Sequence, residues 1–114
     1  MRLKELVLDI AKVNQTPCYA VIFNSVLNDK AEGYEEMADR MVELARQQPG
    51  FLGFESIRDK IGITISYWED LESIKNWKNN SEHLIAQKMG KEEWYKSFVL
   101  RICKVEKQYY FDAE

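Results

Sequence analysis

The sequence predicts an α+β fold of the ferredoxin-like type, with the element order βαββαβ and one four-stranded antiparallel sheet. Four segments of the 114-residue chain are rich in β-branched and aromatic residues or alternate between apolar and polar residues, as strands do. Two other segments repeat apolar residues every three or four positions, as amphipathic helices do. In this order of elements, both helices lie on one face of the sheet.

The first strand and the first helix are predicted near the start of the domain. Residues 18–26 read CYAVIFNSV and are apolar on both faces of an extended chain, interrupted by Asn24. From Tyr34 to Gln48 the apolar residues occupy one side of a helix and the charged residues the other. Pro49-Gly50 ends this helix, because a residue before proline avoids helical torsions and glycine accepts the turn that follows.

A β-hairpin is predicted next. Its strands run from Phe51 to Arg58 and from Ile61 to Trp68, on either side of the polar pair Asp59-Lys60. In the second of these strands the large apolar residues take every other position, which is the period of a strand.

A broken second helix and a last strand complete the prediction. Asp70 or a neighbour caps a helix that carries Trp77, and Ser81 caps a second helical piece that continues through Trp94-Tyr95. The last strand is expected from Phe98 to Val105. Residues 1–16 are assigned to an N-terminal extension, with apolar residues at helical spacing between positions 3 and 11, and residues 17–114 form the domain.

Composition and charge exclude several classes of function. The formal charge of −3 comes from 19 acidic and 16 basic residues that are interspersed along the chain, so nucleic acid is not an expected partner. No apolar run has the length of a membrane span or signal peptide, so we expect no membrane association and a cytoplasmic location. Cys18 and Cys103 lack the spacing of a metal site and are expected to be reduced.

The two-sided apolar strands predict a homodimer. Two helices cover only one face of a four-stranded sheet, yet the first and last strands carry apolar residues on both faces. Monomers seldom leave apolar patches of that size in water, and twofold self-association is the commonest way to cover them.

Several short motifs together resemble a known superfamily. They are QPGFLG at 48–53, ISYWEDLE at 65–72, WK at 77–78, HLIAQ at 83–87, WY at 94–95 and Arg101. In order and spacing they are similar to the antibiotic biosynthesis monooxygenase superfamily, over roughly residues 17–110. The resemblance implies a dimeric α+β barrel with a pocket between the sheet and the second helix. It also implies a cofactor-independent monooxygenase that acts on a small aromatic or quinol-like molecule, an oxidoreductase without metal.

Six residues are candidates for that pocket. Cofactor-free oxygenation needs an electron-rich substrate, a group that takes its proton, and donors that stabilise the resulting anion. His83 is the only histidine and the natural proton acceptor near neutral pH. His83 and Asn24 are the candidate catalytic residues. The candidate substrate-binding residues are Trp77, Trp68, Tyr95 and Arg101.

Each candidate also has an ordinary structural explanation. His83 follows Ser81-Glu82 and is equally suited to a solvent-facing or capping position on the helix. The tryptophans are equally suited to packing a core, and Arg101 to an ion pair at a dimer interface.

Two other functions stay open. Some members of the superfamily degrade haem, and haem is therefore a possible cofactor. In that branch a histidine follows the tryptophan aligned with Trp77 by about ten positions, where this chain has Gln87, so the expected axial ligand is missing. The third alternative is a non-catalytic dimeric module that binds a small molecule and retains only the barrel.

Overall fold

The computed structural model describes residues 10–83 and 94–113, without the side chains of residues 81–83. The elements of the described residues, in chain order, are β1 (Cys18–Leu27), α1 (Tyr34–Arg46), β2 (Phe51–Arg58), β3 (Gly62–Trp68), α2 (Leu71–His83) and β4 (Tyr95–Val105). The four strands form one sheet in the order β2-β3-β1-β4, and every neighbouring pair is antiparallel. The predicted ferredoxin-like βαββαβ fold is confirmed.

The register of the sheet fixes which side chains share a face. Tyr19 of β1 lies opposite Trp68 of β3 and Lys104 of β4, and Ser25 lies opposite Gly62 and Phe98. Because side chains alternate between faces along a strand, the odd-numbered residues of β1 share one face. The even-numbered residues share the other.

Both helices pack on the face that carries Tyr19, which we call the helix face. Ala45 of α1, Trp68 of β3 and Ile74 of α2 are buried together there, with relative exposures of 4%, 0% and 6%. Tyr19 packs against this core from the sheet. The opposite side, which we call the second face, carries the even-numbered residues of β1, including Asn24.

Helix α1 is shorter than predicted, whereas α2 begins where it was predicted to begin. Helix α1 ends at Arg46, because Gln47 and Gln48 donate to carbonyls only three residues back and so tighten the turn before Pro49. Asp70 caps α2 as predicted, with its carboxylate accepting the backbone N–H of Ser73 at 2.7 Å.

The break expected at Ser81 is wrong, since the backbone of α2 is helical from Leu71 to His83. Tyr95 is also not helical. It is the first residue of β4 and pairs with Leu27 beyond a register shift, so the ladder extends β4 by three residues beyond the predicted start at Phe98. The rest of the expected second helical piece, residues 84–93, lies outside the described residues.

The two terminal segments lie against each other. Val13 and Gln108 exchange two hydrogen bonds of 2.9 Å, and Lys12 forms an ion pair with Asp112. The backbone N–H of Ala11 donates to the carboxylate of Glu55 on the second face. Ile10 and Ala11 are not helical, and the other residues of the helix expected at 3–11 lie outside the described part of the chain.

None of the helices in the described residues is long and apolar enough to cross a membrane.

Candidate functional site

An apolar strip on the helix face runs along β1 and β4. It consists of Tyr19, Val21 and Phe23 of β1 and of Phe98, Leu100 and Ile102 of β4. Helix α1 packs mainly over β2, and α2 mainly over β3. Leu100 and Ile102 are therefore 44% and 51% exposed although they lie on the helix face. The strip is available to an apolar ligand.

Two stacked indole rings border one end of this strip. Trp68 is 0% exposed, and its Nε1–H donates to the buried Ser66 Oγ at 2.9 Å. The ring of Trp77 stacks on it with centroids 6.0 Å apart, and Phe51 meets it edge-on. Trp77 is half-buried and retains surface that a ligand could contact. Trp68 retains none, so the structure places it as the support of Trp77 and not as a direct substrate contact.

Four aromatic rings form the other end. Tyr95 packs against Phe23, Tyr34 and Phe98 with centroid distances of 5.4, 5.6 and 5.5 Å. Burial raises the pKa of the Tyr95 phenol, and the neighbouring Tyr34 raises the pKa further. Tyr95 therefore remains a protonated hydrogen-bond donor at neutral pH.

Arg58 brings a positive charge to this second end. Its side chain starts on β2, passes over Gly62 of β3 on the helix face and donates to Ser25 Oγ of β1 at 2.5 Å. The guanidinium also lies 3.4 Å from the Tyr34 hydroxyl and 5.4 Å from the centre of that ring. A Cβ at Gly62 would lie 2.1 Å from Arg58 Nη2, so the crossing requires glycine.

The sequence reasoning missed Arg58, Ser25 and Tyr34. A signal existed, because alternation along β2 places Arg58 on the same face as Phe54 and Ser56, and a glycine begins the next strand at a neighbouring position. An arginine on the helix-covered face is unusual enough to require an explanation.

Asn24 and Arg101 lie together on the second face. Arg101 Nη1 donates to Asn24 Oδ1 at 3.1 Å. Since the indole of Trp77 and the phenol of Tyr95 lie on the helix face, the structure separates these two candidates from the aromatic ones by the thickness of the sheet. The expectation that all of them border one pocket is corrected by the register of β1, which turns Asn24 away from the helices. Within the chain, the described hydrogen-bond partner of Arg101 is thus an amide oxygen, and the ion pair at a dimer interface stays a prediction.

Two expectations concern the end of α2 and the residues after it: His83 as proton acceptor, and Gln87 in place of an axial histidine. The backbone of His83 ends α2, but its side chain and the whole of Gln87 lie outside the described residues. Within the described ranges, 10–83 and 94–113, we find no group of three His, Cys, Asp or Glu side chains that could hold a metal ion. Cys18 is buried, Cys103 is exposed, and both are free thiols.

This arrangement suits a flat apolar ligand with a polar group at one end. The strip supplies an apolar floor, Trp77 supplies an aromatic surface at one end, and Arg58 with Tyr95 supplies donors at the other. Small-molecule sites commonly combine a largely apolar lining with a few convergent polar groups in this way.

Comparison with known proteins finds a matching family and a similar bacterial protein. The family model for antibiotic biosynthesis monooxygenase matches residues 17–89. The chain is 46% identical over 104 residues to the uncharacterized protein YqjZ of Bacillus subtilis strain 168. This alignment covers 90% of this chain and 91% of that protein.

Two solved structures with low sequence identity share the fold. SnoaB, a cofactor-independent oxygenase from Streptomyces nogalater, superposes with a TM-score of 0.69 at 11% identity, covering 82% of this chain and 97% of that one. A MhuD mutant with two manganese protoporphyrin IX bound per active site superposes with a TM-score of 0.61 at 18% identity, covering 82% and 99%.

Proposed function

The chain belongs to the antibiotic biosynthesis monooxygenase family, and from this membership and the geometry of the helix face we propose that it is a cofactor-independent monooxygenase. Its substrate is a small aromatic or quinol-like molecule that lies on the apolar strip. The observation that carries the proposal is this strip itself, bordered by Trp77 at one end and by Tyr95 at the other and exposed along β4.

The chemistry balances without a bound redox group. A hydroquinone anion is electron-rich enough to reduce dioxygen directly, so one oxygen atom enters the ring and the other leaves as water. For naphthohydroquinone, C10H8O2 and O2 give C10H6O3, a hydroxynaphthoquinone, and H2O. The protein has to bind the ring, accept its proton and exclude water from the anion.

The proposed roles follow from position and chemistry. Trp77 contacts the substrate ring, and Tyr95 donates a hydrogen bond to the oxygen that carries the developing charge. His83, at the end of α2, is the proposed proton acceptor because it is the only side chain of the protein that ordinarily titrates near neutral pH. The proposal does not extend to haem, because Gln87 stands where the haem-degrading branch is expected to carry its axial histidine.

We also propose that the second face is covered by another copy of the chain. Ile57, Ile63 and Val99 are 71%, 37% and 48% exposed on this face, and isolated proteins seldom expose so much apolar surface on one sheet. An aspartate at Ile63 would have to be buried in such an interface without a partner. In sedimentation, Ile63→Asp should give a monomer of about 13.5 kDa, and Leu71→Asp on the exposed surface of α2 should leave the dimer intact. A wild-type protein that sediments as a monomer at micromolar concentration contradicts the proposal.

The oxygenase proposal is tested with naphthohydroquinone and oxygen-18 gas. An enzyme of this type transfers one labelled atom into the quinone product and forms no hydrogen peroxide, whereas autoxidation leaves the quinone unlabelled and releases peroxide. Trp77→Ala should weaken binding of the quinol, and Tyr109→Ala, which changes an 85% exposed aromatic residue, is the matched control. Binding without label transfer would support the non-catalytic binding module instead.

A further inference from the structure

We propose that Arg58, Ser25 and Tyr34 form an anion-binding end of the site, and that the natural substrate carries a carboxylate on its aromatic body. This inference rests on the proposed function for the identity of the site, and it adds a charge requirement to the substrate. Neither the family match nor the sequence motifs assign a role to these three residues.

The guanidinium is held in a fixed place on the sheet. It passes over the bare Cα of Gly62, donates from Nη2 to Ser25 Oγ and from Nη1 to the Ser25 carbonyl, and lies over the Tyr34 ring. A long side chain on the last residue of a strand would ordinarily extend into water. Here the neighbouring strand carries a glycine where any other residue would block the path.

The charge of Arg58 has no carboxylate partner within ion-pair distance among the described residues. Its described contacts are a serine hydroxyl, a backbone carbonyl and a tyrosine hydroxyl, all neutral. They use three of the five N–H donors of a guanidinium. The remaining donors and the positive charge are thus available to a ligand.

The surroundings of Arg58 match an aromatic acid better than a simple anion. Ser25 lies two residues from Phe23 along β1 and opposite Phe98 on β4, so the guanidinium meets the end of the apolar strip. From Phe23 to Tyr19 the strip extends about 13 Å, which accommodates two or three fused rings. A carboxylate at one end of such a body would be attracted by the guanidinium charge and would accept charge-assisted hydrogen bonds from its remaining donors, which are stronger than bonds between neutral groups.

The test compares two ligands that differ only in the carboxylate. Binding of 2-naphthol and of 3-hydroxy-2-naphthoate is measured by isothermal titration calorimetry to the full-length protein and three variants. Arg58→Gln removes the charge, Arg58→Lys keeps the charge but not the planar fork, and Lys60→Gln is the control with the same change of charge on the adjacent turn.

We expect wild type to bind the naphthoate at least about tenfold more tightly than the naphthol. Arg58→Gln should abolish this preference by weakening naphthoate binding far more than naphthol binding. Arg58→Lys should retain part of the preference, and Lys60→Gln should retain all of it. Because the site is open to solvent, the preference should also diminish as ionic strength rises. The neutral ligand serves as the check that each variant is folded.

Three results overturn the inference: no preference in wild type, an equal loss of both ligands in Arg58→Gln, or the same loss in Lys60→Gln. Its failure is distinguishable from that of the proposed function. Transfer of oxygen-18 to naphthohydroquinone without any carboxylate preference removes the anion site and leaves the oxygenase. A carboxylate preference that depends on Arg58, without label transfer to any quinol, removes the oxygenase and leaves the anion site.

Discussion

Trp68 packs against Trp77 of the candidate site and is held by a hydrogen bond to Ser66. The contribution of this hydrogen bond to the free energy of unfolding can be measured. Trp68 is completely buried, and among the described residues its indole N–H donates to the Ser66 hydroxyl at 2.9 Å. Ser66→Ala leaves that N–H buried without a partner, which costs about 1–3 kcal/mol. For a domain of this size the melting temperature should fall by roughly 4–12 °C. Ser56→Ala is the control, because its half-buried hydroxyl bonds only to Thr64.

A double-mutant cycle isolates this term from other effects of the substitution. In a Trp68→Phe background there is no indole N–H to leave unpaired, so Ser66→Ala should be nearly neutral, within about 0.5 kcal/mol. Urea unfolding followed by circular dichroism measures all four proteins at one fixed concentration, as self-association requires. An equal cost of Ser66→Ala in both backgrounds would refute the reasoning, because the cost would then not come from the indole.

Three further predictions concern reactivity, pH and kinetics. Burial raises the pKa of the Cys18 thiol, so iodoacetamide should leave it unmodified in the native protein, while both Cys18 and Cys103 should react in denaturant without reductant; a mass two daltons lower with neither modified would reveal a disulfide. Hydrogen bonds from Ser73 lower the pKa of Asp70 below 3.8, so its carboxylate stabilises the fold above that pH, and the stability difference between wild type and Asp70→Asn should disappear as the pH falls through the lowered value. With a quinol substrate, His83→Ala should reduce kcat by about a hundredfold or more with little change in KM, whereas a change in KM alone would assign His83 to binding.

The local turn chemistry explains why β2 could be predicted to the residue. Gly50 adopts a φ of +87°, which favours glycine, and its carbonyl accepts the N–H of Glu69 at 2.8 Å. A Cβ at Gly50 would also lie 2.0 Å from Ser73 Oγ. The proline-glycine pair therefore signals both the end of α1 and the close approach of α2, and this information is local in the sequence.

The orientation of β1 could not be read in the same way. A strand that alternates apolar and polar residues reveals its buried face, but β1 is apolar on both faces. Nothing in its own sequence therefore decides whether Asn24 or Ser25 faces the helices. The decision comes from distant residues, chiefly Trp68, which lies opposite Tyr19 and packs under both helices. The prediction that Tyr95 is helical was wrong for a related reason, because the pairing of Tyr95 with Leu27 joins residues that are far apart in the sequence.

The pair of Asn24 and Arg101 limits how the second face can be covered. An amide oxygen gives the Arg101 guanidinium one hydrogen bond but no opposite charge, and burial of a guanidinium without a charged partner is strongly unfavourable. Arg101 is exposed and lies on β4, one of the two edge strands of the sheet. A copy of the chain that packs on the second face should therefore leave Arg101 at the rim of the interface, in contact with water, and bury Ile63 of the inner strand β3 nearer its centre. At the rim, Arg101 would help to align the two copies, whereas Arg58 lies on the helix face beside the end of the apolar strip.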